Sequence, residues 1–182
     1  MKRACVLLAD GCEEVEAITP IDYLRRAGIA VVTAGIAGRS VTAGHGITIA
    51  ADRILEEIHE ETFECVIVPG GGKGSENIAR DGKACRFITR HAREGALIAA
   101  ICAAPALVLG QACGLLRGKV FTCYPGMEKL VPEGNFRAER VVRDRDFVTA
   151  RGPGCAGDFA LALVEILAGK DKAESLRKDL LL

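Results

Sequence analysis

The stretch that decides the fold runs from Ala96 to Pro105 and reads Ala-Leu-Ile-Ala-Ala-Ile-Cys-Ala-Ala-Pro. Its first six residues form an apolar run, which is typical of a strand buried on both faces of a parallel sheet. Pro105 suits the first turn of a helix, where its missing N–H leaves no hydrogen bond unmade. The spacing therefore predicts a strand over Ala96–Ile101 and a helix from about Ala104, with Cys102 at the turn between them.

The same alternation of short apolar runs and helix-period segments extends along the whole chain. Such an alternation indicates a doubly wound α/β fold, in which helices cover both faces of a mostly parallel sheet. A length of 182 residues is about the size of one domain. We therefore expect residues 1–182 to form a single domain.

Glycine, proline and charged residues at the ends of the apolar and helix-period segments indicate where each strand and helix begins and ends. The predicted strands are Arg3–Ala9, Ile29–Gly35, Phe63–Pro69, Ala96–Ile101 and three short ones that continue the sheet, around Lys119–Thr122, Glu139–Arg143 and Phe147–Ala150. A hairpin-like excursion is predicted over residues 38–51, with the pieces Ser40–Thr42 and Ile47–Ala50. The predicted helices are Glu14–Ala27 with a kink or restart near Thr19, a short one near Arg53–Ile58, Ser75–Glu94, one from Ala104, Cys155–Leu167 and a polar tail Asp171–Leu182.

The composition excludes several classes of protein. Lysine plus arginine (24) equals aspartate plus glutamate (24), so no basic surplus is available to neutralise nucleic-acid phosphates. The longest near-continuous apolar run, Ala96–Leu109, is shorter than the ~20 residues of a membrane-spanning helix. The apolar stretch Ala4–Ala9 is too short for the core of a signal peptide. We therefore expect a cytoplasmic protein with no nucleic-acid or membrane partner.

The eight cysteines fit neither a disulfide framework nor a zinc site. No pair has the C-x₂-C spacing of a zinc site, and a chain of this size without a secretory signal does not need bridges. The default for each is a free, buried thiol, although Cys12 and Cys155 lie on strand-end loops where solvent could reach them. We expect no metal and no cofactor.

The carboxyl ends of the parallel strands are where ligands bind in an open α/β sheet. In chain order these ends are Asp10–Glu13, Pro69–Gly72, Cys102–Pro105 and Arg151–Gly154. Cys102 occupies a sharp strand-to-helix turn, the setting of a nucleophile elbow. A helix N-terminus favours the thiolate, so Cys102 is either a reactive thiol or simply a core cysteine at a strand end.

A nucleophilic cysteine usually needs a base, and the histidines are poorly placed to supply one. No histidine follows His91, which we expect on the polar face of a helix, and His59 lies between a helix and a strand. His45 lies in the glycine-rich excursion and could approach a site. The other candidates are three carboxyls at the start of the first helix, among which periodicity does not choose: Glu13, Glu14 and Glu16.

The glycine run Gly70–Gly72 does not have the spacing of a phosphate-binding loop. It can supply backbone N–H groups for an oxyanion hole beside Cys102, or it can simply form a tight turn.

Four segments resemble the ThiJ/PfpI superfamily and, within it, the parkinsonism-associated protein deglycase branch. They are Leu8–Glu16, Val66–Gly71, Ala99–Pro105 and Arg151–Gly154, and the likeness spans nearly the whole chain in the same order. The resemblance implies a flavodoxin-like sandwich and a homodimer.

The resemblance also implies roles for individual residues. Cys102 would be the nucleophile, Glu16 the protonated carboxyl bonded to it, and Gly71 and Ala103 the amide donors. Further residues expected to line the pocket are Gly70, Tyr124, Arg151, Pro153 and His45.

Two activities are described in this superfamily. One is a glutathione-independent glyoxalase or protein deglycase acting on small α-oxoaldehydes; the other is an oxidation sensor or chaperone-like protein whose cysteine becomes a sulfinate. Two residues of this chain differ from the family pattern in ways that affect which activity we expect. Tyr124 stands where the branch has a histidine, and Ala103 follows the cysteine where the protease branch has one, so we expect no protease activity.

Overall fold

Eleven strands are present in the structure, a computed structural model that describes residues 2–182. They are β1 (Arg3–Leu8), β2 (Ala30–Gly35), β3 (Ser40–Thr42), β4 (Thr48–Ala50), β5 (Arg53–Ile54), β6 (Cys65–Val68), β7 (Leu97–Ile101), β8 (Val120–Phe121), β9 (Asn135–Phe136), β10 (Val141–Asp144) and β11 (Phe147–Ala150). Seven of them form the central sheet in the order β10-β11-β7-β6-β1-β2-β5. All neighbours in this sheet are parallel except β10 and β11.

Six α-helices surround the sheet. They are α1 (Glu14–Arg26), α2 (Leu55–Ile58), α3 (Gly72–Arg80), α4 (Gly82–Arg93), α5 (Ala156–Ala168) and α6 (Lys170–Asp179). A π-type helix, Pro105–Ala112, follows the elbow at Cys102, and short 3₁₀ turns occupy Met127–Leu130 and Pro153–Cys155.

Two apolar cores lie on the two faces of the sheet. Along β1, Ala4, Val6 and Leu8 face one core, whereas Cys5 and Leu7 face the other, because side chains alternate along a strand. Helices α1, α5 and α6 cover the first core. Helices α2, α3 and α4 and the π-type helix cover the second. The predicted doubly wound, flavodoxin-like α/β fold is confirmed.

Two helix predictions were wrong about continuity. The predicted helix Ser75–Glu94 is two helices, because the Asp81 side chain accepts hydrogen bonds from the N–H groups of Lys83 and Ala84 and so caps a new helix. Of the kink or restart predicted near Thr19, the restart is absent, because α1 is one helix that runs unbroken through Pro20. In the polar tail, α6 ends at Asp179, before the terminal leucines.

Two strand assignments also need correction. The segment around Lys119–Thr122 does not continue the central sheet: β8 pairs instead with β9 in a separate two-stranded sheet. In the predicted short helix Arg53–Ile58, the first two residues form β5, which lies at the sheet edge beside β2. The hairpin is present as the antiparallel pair β3 and β4.

None of the helices within residues 2–182 combines the length and the hydropathy that crossing a bilayer requires.

Candidate active site

In the central sheet, β2 and β5 lie on one side of β1, whereas β6 and the later strands lie on its other side. The strand order therefore reverses between β1 and β6, and such a switch point forms a crevice at the carboxyl ends of the two strands. The loop after β1 is fastened to the loop after β6: the Glu13 N–H donates to the Gly70 carbonyl at 3.1 Å, and the Gly74 N–H donates to the Gly11 carbonyl at 3.1 Å. The first turn of α1 is thereby held against the end of β7, where Cys102 lies.

Cys102 occupies a strained turn. Its φ is +65°, one of three positive values among the non-glycine residues of the described chain. The turn is held from both sides, since the Cys102 N–H donates to the Ala150 carbonyl at 2.9 Å and its own carbonyl accepts from the Tyr124 N–H at 2.8 Å. The residue is 9% exposed. This geometry is that of the predicted nucleophile elbow.

Of the three candidate carboxyls, Glu16 is the one that reaches Cys102. Glu16 is fully buried, and its Oε2 accepts a hydrogen bond of 2.9 Å from the Gly70 N–H. Its Oε1 is buried without a regular hydrogen-bond partner among residues 2–182. Burial raises the pKa of Glu16 to about 7, partly offset by hydrogen bonding to the Cys102 thiol and to Gly70. The carboxyl can therefore hold or release a proton near neutral pH.

Gly70 and Gly71 allow the loops to approach this closely. A Cβ on Gly70 would lie 2.4 Å from Glu16 Oε2 and 2.5 Å from Cys102 Cβ, distances that no real side chain tolerates. Gly71 has φ +82°, and a Cβ there would lie 2.7 Å from the Glu13 nitrogen. A larger residue at position 70 would push the carboxyl and the thiol apart, and one at position 71 would push the loop after β1 away from the loop after β6.

The amide donors predicted from the resemblance, Gly71 and Ala103, both point their N–H groups at the Cys102 sulfur. Burial raises the pKa of the Cys102 thiol to about 12, an effect that the charge of Glu16 reinforces and that the two amides oppose. The low thiol pKa expected from the helix N-terminus is therefore not what the site produces. A carboxylate with a pKa near 7 beside the thiol is, however, a group that could accept the thiol proton.

Three other predicted pocket residues, Tyr124, Arg151 and Pro153, lie at the same end of the sheet. The Tyr124 side chain is half exposed and packs beside Gly152, whose Cβ would lie 3.5 Å from the ring. Arg151 and Pro153 follow β11, which pairs with the strand that carries Cys102.

His45 binds Glu14, a pairing that the sequence patterns did not suggest. Its Nδ1 lies 2.9 Å from Glu14 Oε2, and its backbone N–H donates to Glu14 Oε1 at 2.7 Å. The imidazole lowers the pKa of Glu14 to about 2, and the carboxylate raises that of His45. With Glu13, these ligand atoms lie within 4.8 Å of one another, so this is the group of residues that could hold a cation.

Cavity size does not mark the site. A cavity of about 790 Å³ lies between α2 and α4, away from Cys102. Another of about 450 Å³ lies between the loops after β1 and β6 and the β3–β4 hairpin, and is bordered by Glu13, His45 and Gly71. The chemistry of Glu16 and Cys102 identifies the site better than volume does.

The predicted exposure of His91 was wrong. His91 is buried rather than on a polar face: its Nδ1–H donates to the Phe87 carbonyl at 2.8 Å, and its Nε2 accepts from the Phe63 N–H at 3.2 Å. Cys12 and Cys155 are buried, as expected by default, although both lie on strand-end loops.

Comparison with known proteins identifies the family to which the chain is similar. Residues 2–166 match the DJ-1/PfpI family. The chain belongs to the DJ-1/PfpI family. The resemblance seen in the sequence, to the ThiJ/PfpI superfamily, is thereby confirmed.

Individual DJ-1 relatives match the chain from end to end. The Parkinson disease protein 7 homolog of Danio rerio is 37% identical over 186 residues, covering 100% of this chain and 97% of the relative. The glutathione-independent glyoxalase DJR-1.2 of Caenorhabditis elegans is 35% identical, with 100% and 97% covered. A solved structure of oxidized Toxoplasma gondii DJ-1 superposes with a TM-score of 0.96 at 36% identity, covering 100% of this chain and 98% of that one.

Proposed function

We propose that this DJ-1 family protein is a glutathione-independent glyoxalase that converts small α-oxoaldehydes such as methylglyoxal to hydroxy acids, with Cys102 as nucleophile and Glu16 as proton shuttle. The observation that carries the proposal is the buried Glu16 carboxyl, with a pKa of about 7, beside a cysteine in an elbow turn. The relative named as a glutathione-independent glyoxalase supports the same reading.

In the first step the Cys102 sulfur attacks the aldehyde carbon while Glu16 accepts the thiol proton. The new C–S bond leaves a negative charge on the former carbonyl oxygen, and the Gly71 and Ala103 N–H groups near the sulfur can donate to that oxygen. Glu16 then returns the proton to this oxygen, which gives a neutral hemithioacetal and restores the Glu16 carboxylate. No oxidant or cofactor is needed for this step.

In the second step Glu16 moves a proton between adjacent carbons. It removes the hydrogen from the carbon bonded to sulfur, giving an enediol, and the neighbouring carbon is then protonated, giving a thioester. Water cleaves the thioester, releases the hydroxy acid and restores the Cys102 thiol. A base with a pKa near 7 is suited to this task because it is available in both protonation states at neutral pH.

Two departures from the family pattern shape the proposal. Tyr124 replaces the family histidine, and its phenol is a poor base near neutral pH, so proton transfer rests on Glu16. Ala103 follows Cys102 where the protease branch has a histidine, which removes the base that a protease would need. Turnover of protein-bound adducts, the deglycase reaction, would use the same first step.

The second candidate function is an oxidation sensor. Glu16 Oε1 has no regular hydrogen-bond partner within residues 2–182, so a protonated Glu16 could donate from this oxygen to a sulfinate on Cys102. One solved relative is described as oxidized. In this case peroxide would oxidise the Cys102 thiol to a sulfinate, which carries two oxygens on the sulfur, and the protein would turn over no aldehyde.

Lactate formation from methylglyoxal without added glutathione separates the two candidates. The wild type should complete many turnovers, and Cys102→Ser and Glu16→Gln should each abolish them. Matched controls are Cys85→Ser, a half-buried thiol on α4, and Asp22→Asn, an exposed carboxylate on the same helix as Glu16, both of which should retain activity. Absence of turnover in the wild type, with sulfinate formation under mild peroxide, would establish the sensor instead.

We also propose that this single-domain chain acts as a homodimer in the cytoplasm. Val15 and Ile18 on α1 are 48% and 45% exposed, and Ile47 in the β3–β4 hairpin is 58% exposed. The Glu14–His45 pair joins these two elements, so the apolar side chains belong to neighbouring surfaces that a second copy could bury. Eight free cysteines suit a reducing compartment. Light scattering should give a dimer mass for the wild type and a monomer mass for Ile18→Asp.

A further inference from the structure

A second pair of groups outside the site, Cys85 on α4 and Cys113 at the end of the π-type helix, lies in direct contact. The two thiols are close enough to hydrogen-bond each other, and Cys113 Sγ lies 3.9 Å from the carbonyl oxygen of Cys85 itself. Helix α4 and the π-type helix both cover the second core, which brings together two residues 28 positions apart in the chain.

These two cysteines are also the accessible ones. Both are half-buried, whereas the other six cysteines are buried. Cys85 is one of the residues that line the cavity of about 790 Å³ between α2 and α4. Its Sγ donates to the carbonyl oxygens of Ile78 and Ala79 at 3.7 and 3.5 Å. The only other pair of interacting thiols in residues 2–182, Cys5 and Cys65, is fully buried and divided between the two faces of the sheet.

We propose that Cys85 and Cys113 form a redox-active dithiol that closes to an intramolecular disulfide when a small peroxide oxidises it. This modification site is separate from Cys102 and does not depend on the proposed aldehyde chemistry. The oxidant class is hydrogen peroxide or an organic hydroperoxide.

The steps balance without any further reactant. One thiol loses its proton and attacks the peroxide, the O–O bond breaks, and the products are a sulfenic acid and, with hydrogen peroxide, one water. The second thiol then attacks that sulfur, an S–S bond forms and a second water leaves. Both sulfurs are oxidised by one electron each, and the peroxide takes up the two electrons.

The surroundings favour Cys85 as the first thiol to react. Burial raises the pKa of both thiols, that of Cys113 to about 12, but the hydrogen bond from Cys113 lowers that of Cys85. Cys85 is also one of the residues that line the cavity. Of the two charges nearby, that of Asp81 raises the pKa of Cys85 more than that of Arg86 lowers it. Cys113 then acts as the resolving thiol.

The disulfide would tie α4 to the far end of the helix that begins just after Cys102. The π-type helix starts at Pro105, three residues beyond the elbow, and Cys113 caps its other end. The two thiol sites therefore occupy the two ends of one short helix.

The test uses the full-length Cys102→Ser protein, so that oxidation at the elbow cannot contribute. After treatment with hydrogen peroxide at a level that converts free dithiothreitol to its disulfide, the remaining thiols are alkylated in denaturant and counted by intact mass. We expect two fewer alkylated thiols, a peptide map joining the Cys85 and Cys113 peptides, and reversal by reductant. Cys5 and Cys65 should stay reduced.

The matched controls are Cys102→Ser combined with Cys85→Ser and, separately, with Cys113→Ala, each checked for folding by circular dichroism. In both, the remaining partner should form no intramolecular disulfide. Three outcomes in the Cys102→Ser protein would overturn the proposal. Cys85 and Cys113 stay free, or they are over-oxidised separately, or either one links to another cysteine or another chain. Because Cys102 is absent throughout, none of these outcomes bears on the glyoxalase proposal.

Discussion

The Gly70 N–H donates a hydrogen bond of 2.9 Å to Glu16 Oε2, and the same glycine fills the narrow space between Glu16 and Cys102. The loop after β6 thus both orients the carboxyl and sets its distance from the thiol. Since the Gly70 carbonyl also accepts from the Glu13 N–H, one residue fixes the start of α1 against the elbow.

Replacing Gly70 with alanine should therefore damage the site directly. The new Cβ would meet Glu16 Oε2, Cys102 Cβ and the Ile101 carbonyl oxygen at 2.4, 2.5 and 2.7 Å. Glu16 and Cys102 are the two residues proposed to react. A displacement of about 1 Å at a reacting centre costs on the order of a hundredfold in rate. We expect Gly70→Ala to lower kcat/KM for methylglyoxal by about that factor. Gly72→Ala, whose Cβ meets nothing within 4 Å, should stay near wild type, and equal losses in both variants would contradict this account.

The raised pKa of Glu16 predicts a stability profile with a definite sign. A carboxyl with a pKa of 4.5 when unfolded and about 7 when folded binds more protons in the folded state between those values. The free energy of unfolding therefore falls as pH rises from 4.5 to 7, by about 3 kcal/mol for this shift. Glu16→Gln removes the titrating carboxyl. The free energy of unfolding of the variant minus that of wild type should therefore increase by about 3 kcal/mol between pH 4.5 and pH 8. Urea titrations at both pH values measure this, and a constant difference would contradict it.

The same pKa predicts how the reaction depends on pH. Glu16 must be ionised to accept the Cys102 proton, so kcat/KM for methylglyoxal should rise with pH and level off with a midpoint near 7. Initial rates of lactate formation across pH 5 to 9 give the profile. A rate that is already level at pH 5 would mean that burial does not raise the pKa of Glu16, and would contradict this account.

The sequence predicted the elements that depend on local pattern. Apolar runs and bounding glycines located the strands, and the turn before Pro105 located the elbow, because these signals arise within a few residues. The break at Asp81 also had a local signal, an Asp-Gly pair whose side chain caps α4, although the helical period on both sides concealed it.

Features that depend on contacts between distant segments could not be read in the same way. The pairing of β8 with β9, the burial of His91 between Phe63 and Phe87, and the contact of Glu14 with His45 all join residues far apart in the chain. Residue patterns left Glu13, Glu14 and Glu16 equivalent. The hydrogen bond from Gly70, which distinguishes Glu16, exists only once the two loops meet.

The Glu14–His45 pair should be visible as an elevated histidine titration. Hydrogen bonding to Glu14 raises the pKa of His45 above 6.5, whereas burial lowers that of His91, so the imidazole NMR signals of the two should titrate on opposite sides of that value. A raised histidine pKa adds stability that is present at low pH and is lost as pH rises through the folded-state value. In Glu14→Gln the His45 titration should move to lower pH while that of His91 stays in place. A His45 titration unchanged by Glu14→Gln would show that the 2.9 Å contact does not hold the hairpin to α1 in solution.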